Sequence, residues 1–144
     1  MNDQLERFVE AQQRDYQIAL TEIKDGKKRS HWMWYIFPQI KGLGSTPTSK
    51  FYAIKNKEEA SAFLQHSILG VRLIEINKEL LKLESNDAHE IFGSPDDLKL
   101  KSSMTLFSSL HAADPVFQLV LDKFFNGKKD EKTLRIIEVP YGDN

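Results

Sequence analysis

The chain has 144 residues, 20 Lys and Arg against 21 Asp and Glu for a formal net charge of -1, a hydrophobic fraction of 40%, and no cysteine. Length and apolar content suit one soluble globular domain, and the missing thiols exclude disulfides, thiolate nucleophiles and cysteine-ligated zinc. Balanced charge argues against a large nucleic-acid groove, which normally shows as a basic excess.

The opening residues MNDQLERFVE lack the apolar core of a signal peptide, and no apolar run approaches the roughly 20 residues that span a bilayer. A cytoplasmic location without membrane contact is therefore expected. Leu5, Phe8, Val9, Tyr16, Leu20 and Ile23 recur at helical spacing and predict an amphipathic helix over about 3–25, capped by Asn2 or Asp3 and closed by Gly26. The aromatic run from His31 to Phe37, stopped by Pro38, predicts a short buried helix. Residues 40–50, IKGLGSTPTSK, make the longest clear loop. Asn56, three before Glu59, opens a helix through Ala60, Phe63 and Leu64. Leu69, Leu73, Ile76, Leu80 and Leu83 predict a long core helix.

Ser94-Pro95-Asp96-Asp97 starts the next helix, with serine as cap and two acids facing the positive end of the helix dipole, and its body runs to about Leu110. Asp114-Pro115 restarts the chain for a helix through Phe117, Val120, Leu121, Phe124 and Phe125 that stops at Gly127. A last helix follows Asp130 through EKTLRIIE and ends before Pro140. The sum is an all-α single domain of six or seven helices, with no linker and no repeat.

Standard chemistries fail on spacing. His89-Glu90-Ile91-Phe92-Gly93 begins like a zinc-protease helix, but Gly93 stands where the second histidine must be. Gly42-Leu43-Gly44-Ser45 lacks the Gly-Lys-Ser/Thr that completes a phosphate loop. His31, His66, His89 and His111 are too scattered for a metal cluster, so neither a metal nor a cofactor is expected.

Two constellations remain. In Lys27-Lys28-Arg29-Ser30-His31-Trp32-Met33-Trp34 a basic triplet leads into an imidazole and two indoles, with Gln39 nearby. Cations neutralise phosphate, aromatic faces stack a base, and a glutamine amide reads a polar edge, which makes Trp32, Trp34 and Gln39 ligand-binding candidates. The alternative is that Trp32, Met33, Ile36 and Phe37 are core. After Ser94, Asp97, Lys101 and Thr105 form a polar stripe beside Leu100, Met104 and Phe107. Lys101 would contact phosphate, and Ser103 and Thr105 would orient the ligand; the alternative is a solvated Asp-Lys pair. Asp130, three before Thr133, is most simply a helix cap.

The stretches SHWMWYIFPQIKGLG, FGSPDDLKLKSSMTLF and FFNGKKDEKTL, with EEASAFL and LGVRL between them, resemble the bacterial and fungal family labelled domain of unknown function 1810. The resemblance runs from Arg7-Phe8-Val9-Glu10-Ala11-Gln12 to Thr133-Leu134. It implies an all-helical fold of helical-hairpin or α-horseshoe type and no established reaction, so no catalytic residue is carried over from it. Some members carry the label calpastatin, a name for largely disordered, repetitive inhibitors, whereas this sequence has core helices and no repeats.

These features favour a pocket for a phosphorylated nucleotide-like small molecule, with His31, Trp32, Trp34 and Gln39 on one wall and Asp97, Lys101, Ser103 and Thr105 on the other. In a catalytic version His31 is the general acid or base and Asp97 orients it. Two other readings use the same aromatics. One is a protein-interaction module anchored by exposed Trp32, Tyr35 or Phe37; the other is a single-stranded nucleic-acid binder using Lys27 to Arg29.

Overall fold

Four helix starts are set by short polar side chains that accept free backbone N–H groups. In the computed structural model, which describes residues 3–138, a 3-10 turn over Asp3–Leu5 leads into α1 (Glu6–Lys24), α2 (Met33–Ile36), α3 (Pro47–Phe51) and α4 (Lys57–Gln65). Then come α5 (Leu69–Lys82), α6 (Ala88–Phe92), α7 (Asp96–Ser108), α8 (Val116–Phe125) and α9 (Glu131–Ile137). The described residues are all-helical apart from one isolated parallel bridge between Ile40 and Ile54.

Asn56 caps α4 by accepting the Glu59 N–H at 2.9 Å, and Asp130 caps α9 by accepting the Thr133 N–H at 2.9 Å. Gly26 ends α1 with φ +74°, a conformation that costs a glycine nothing. The nine helices of the described residues exceed the six or seven expected, because α3 and α6 are too short to leave a periodic pattern. Both rest on caps instead: Thr46 Oγ1 accepts the Ser49 N–H at 3.1 Å, and Asp87 accepts the His89 N–H at 2.9 Å. Ser94 is not the cap of α7, which starts at Asp96 with Pro95 in the cap position. Asn2 and Pro140 lie outside the described residues, as does the Asp3 side chain.

Helices α4 and α5 form one hairpin and α7 and α8 another, and they close on each other through α5 against α8 and α4 against α7. Helix α1 lies along α5. A chain of rings crosses this core, Phe8 to Phe63 at 5.1 Å, Phe63 to Phe107 at 5.6 Å and Phe107 to Phe117 at 5.7 Å between centroids. Edge-to-face and tilted contacts of this kind add to the apolar area they bury. Helix α7 is enclosed from several sides, so its Leu100, Ser102, Ser103, Met104, Thr105, Leu106 and Phe107 are all buried.

Candidate functional site

The basic-aromatic motif at Lys27 to Trp34 is organised around a buried carboxylate. Glu22 of α1 accepts hydrogen bonds from the Arg29 N–H at 2.8 Å, the Ser30 N–H at 3.0 Å, the Ser30 hydroxyl at 2.5 Å and the Trp32 Nε1–H at 2.9 Å. Burial raises its pKa, but these four donors outweigh burial and hold the carboxyl down at about 2. Trp32 is therefore core, with no exposed surface for a ligand. Lys28 is likewise committed, with its ammonium 2.9 Å from Asp96 and 4.9 Å from the Trp32 ring centroid. Tyr35 and Phe37 are buried too, which removes the exposed anchors that the interaction reading needs.

Two residues further on, the motif reaches the surface. Trp34 is half-buried, and Lys99 Nζ of α7 stands 5.4 Å from its ring centroid while also pairing with Asp96 at 3.5 Å. Asp96 thus joins Lys28, on the core side, to Lys99, on the open side. Two adjoining clefts of about 460 and 400 Å³ share Trp34, Gln39, Gly44 and Ser49 as common wall. Each lies in the roughly 300–1,000 Å³ range of small-molecule sites. Lys41 and Lys50 line the first cleft; Lys99, Ser102, Asp130 and Lys132 line the second.

Of the residues expected from sequence, the structure brings Trp34 and Gln39 together and leaves the rest elsewhere. His31 is exposed and lines neither cleft; its carbonyl lies 3.1 Å from the Tyr35 hydroxyl, which donates to Asp15. Burial and that carboxylate push the Tyr35 hydroxyl up to about 12. Asp97 faces His89 at 3.6 Å, away from both clefts, and Lys101 lies 5.9 Å from the Phe125 ring centroid. The two expected walls therefore do not meet in either cleft. Ser103 is fully buried, and its neighbour Ser102 lines the second cleft in its place.

Thr105 is also fully buried and acts as a latch, donating to the Lys101 carbonyl at 2.8 Å and accepting the Asp130 N–H at 2.9 Å. It ties the start of α9, and with it Asp130 and Lys132 of the second cleft, to α7. Replacing Thr105 by valine removes both bonds at nearly constant volume. The expected cost is about 1–2 kcal/mol, with faster amide exchange concentrated in α9. Uniform exchange across the protein would contradict the latch.

Sequence reasoning missed Lys99, Ser49, Lys41 and Lys50. The Gly- and Ser-rich composition of residues 40–50 marked the loop that carries the last three but not the side on which it folds. Among the described residues no group of three His, Asp or Glu is placed to hold a metal ion, and no helix is long and apolar enough to cross a membrane.

The family model described as a protein of unknown function (DUF1810) matches residues 2–137. The chain belongs to the DUF1810 family. Among solved structures, it is similar to the crystal structure of the conserved hypothetical protein Rv1873 from Mycobacterium tuberculosis. The two are 45% identical, with a TM-score of 0.92 over 94% of this chain and 97% of that one. No curated protein matches the chain. The DUF1810 resemblance expected from the motifs is thus met over nearly the whole sequence, and with it the all-helical fold.

Proposed function

We propose that this DUF1810 protein binds a phosphorylated nucleotide-like small molecule in the paired clefts at Trp34. The observation that carries the reading is the half-buried Trp34 ring, held between two hollows of ligand size with the Lys99 ammonium beside it. An aromatic ring of the ligand lies against Trp34, Gln39 donates to or accepts from its polar edge, and lysines at the cleft margins take the anionic group. His31 and Asp97 line neither cleft, so the reading gives them no contact with the ligand.

A thermal-shift screen of the full chain against nucleotides, ADP-ribose-like compounds and sugar phosphates tests this. A ligand at about 100 times its dissociation constant stabilises the fold by about 2.7 kcal/mol. Trp34→Ala and Lys99→Ala are expected to erase that gain while leaving the unliganded protein folded, since both side chains are only partly buried. If no nucleotide or sugar phosphate shifts the wild type, the reading fails.

A further inference from the structure

The first cleft does not end at Lys41 and Lys50. Those two lysines and Ala53 also line a third hollow of about 460 Å³, which adds Arg7, Phe51 and Lys55. Phe51 is 59% exposed, the only exposed phenyl or indole ring among the described residues. Its backbone is held in place: Arg7 donates to the Phe51 carbonyl at 2.8 Å and to the Ala53 carbonyl at 3.0 Å, and the Phe51 ring meets Tyr52 edge-on at 4.8 Å.

Charge along this trough is one-sided. Among the described residues none of Lys41, Lys50 and Lys55 is in an ion pair. No acid lines the first cleft, and the one acid in the third, Glu59, has an oxygen committed to Arg7 at 3.2 Å and to the Lys55 N–H at 2.8 Å. The sequence of chemistry along the trough is therefore aromatic ring, free ammonium groups, aromatic ring. A single nucleotide would satisfy Trp34 and the lysines but leave Phe51 open to water.

From this order we infer that the ligand is a dinucleotide joined through its phosphates, with one base on Trp34, the phosphate bridge between Lys41 and Lys50, and the second base on Phe51. The inference rests on the nucleotide reading of the Trp34 cleft and specifies its ligand class. Stacking of the second base on an aromatic side chain strengthens binding by about fivefold to 150-fold.

Calorimetry on the full chain with diadenosine and diguanosine tetraphosphate, and with ATP and GTP as half-ligands, tests the inference. The dinucleotide of one base is expected to bind about fivefold or more tighter than its half-ligand. Phe51→Ala is expected to abolish that advantage while leaving the mononucleotide within about twofold, and Lys41→Ala with Lys50→Ala to weaken both. All three side chains are exposed, so these variants fold. A mononucleotide that binds as tightly as its dinucleotide, or an advantage that survives Phe51→Ala, overturns the inference and leaves the Trp34 reading standing. A single-stranded oligonucleotide binding more tightly than either overturns it in favour of nucleic acid. No binding by any of the four nucleotides overturns the inference, and the Trp34 reading then falls only if the wider thermal-shift screen is silent as well.

Discussion

Replacing Glu22 by alanine is expected to lower the unfolding free energy by about 3 kcal/mol, read as a lower urea midpoint at an unchanged slope. The carboxylate accepts four hydrogen bonds, and alanine leaves the Trp32 Nε1–H unpaired at a site with no solvent access. Wild-type stability also acquires a defined acid dependence. The carboxyl titrates at about 2 in the folded protein against an ordinary 4.5, so its contribution is complete above about pH 4.5 and drains away as the pH falls toward 2. That difference corresponds to roughly 3 kcal/mol. Glu22→Gln keeps an acceptor for Trp32 but no longer titrates, so its stability should fall less steeply between pH 4.5 and 2 than the wild type's. Parallel acid profiles for the two proteins would show that Glu22 is not the group responsible.

Gly70→Ala is expected to destabilise by about 3 kcal/mol, against the usual sign for this substitution in a helix. Gly70 is the second residue of α5, where the hairpin from α4 brings two backbones together. A Cβ there would stand 1.8 Å from the Leu64 carbonyl oxygen and 2.7 Å from its carbon. Neither atom belongs to a flexible side chain, so the hairpin must open to admit the methyl group. Elsewhere in a helix, alanine would stabilise by about 1 kcal/mol relative to glycine. Urea denaturation decides the matter by the direction of the midpoint alone, and an unchanged or raised midpoint would refute the close approach.

The longer helices were legible from apolar spacing and two of the shorter ones from their caps. Leu69, Leu73, Ile76 and Leu80 of α5 are all buried, and Asn56 and Asp130 cap as their spacing implied. The site was less legible because facing is ambiguous where apolar residues run together. Trp32 and Trp34 are chemically alike and two residues apart in one aromatic run, with no polar residue between them to mark which side is solvent. One satisfies Glu22 in the core, and the other borders the clefts. Helix α7 hides its phase for another reason: being enclosed, it buries Ser103 completely while Leu98 is 58% exposed. The four-residue spacing of Asp97, Lys101 and Thr105 therefore points to Lys101, whereas Lys99 is the α7 lysine that lines a cleft. The Lys28–Asp96 pair joins residues far apart in sequence, so a local reading of the basic triplet sent it toward a ligand instead of toward α7.

The bridge at Ile40 and Ile54 sets one stretch of the cleft walls apart from the helical framework that carries Trp34 and Lys99. Two buried isoleucines, with the Lys41 N–H on the Ile54 carbonyl and the Ile54 N–H on the Gln39 carbonyl, both at 2.8 Å, clasp the base of residues 41–53. Most of the segment beyond the clasp faces outward, with Leu43 and Tyr52 turned back onto the core, and it carries Lys41, Ser49, Lys50 and Phe51. Lengthening a loop between fixed ends costs little, about 0.6 kcal/mol per doubling. Changes of length or composition between the clasp residues are accordingly expected to reshape the walls of the clefts while leaving α1 and α4 to α9 in place, read in urea denaturation as a stability unchanged within about 1 kcal/mol.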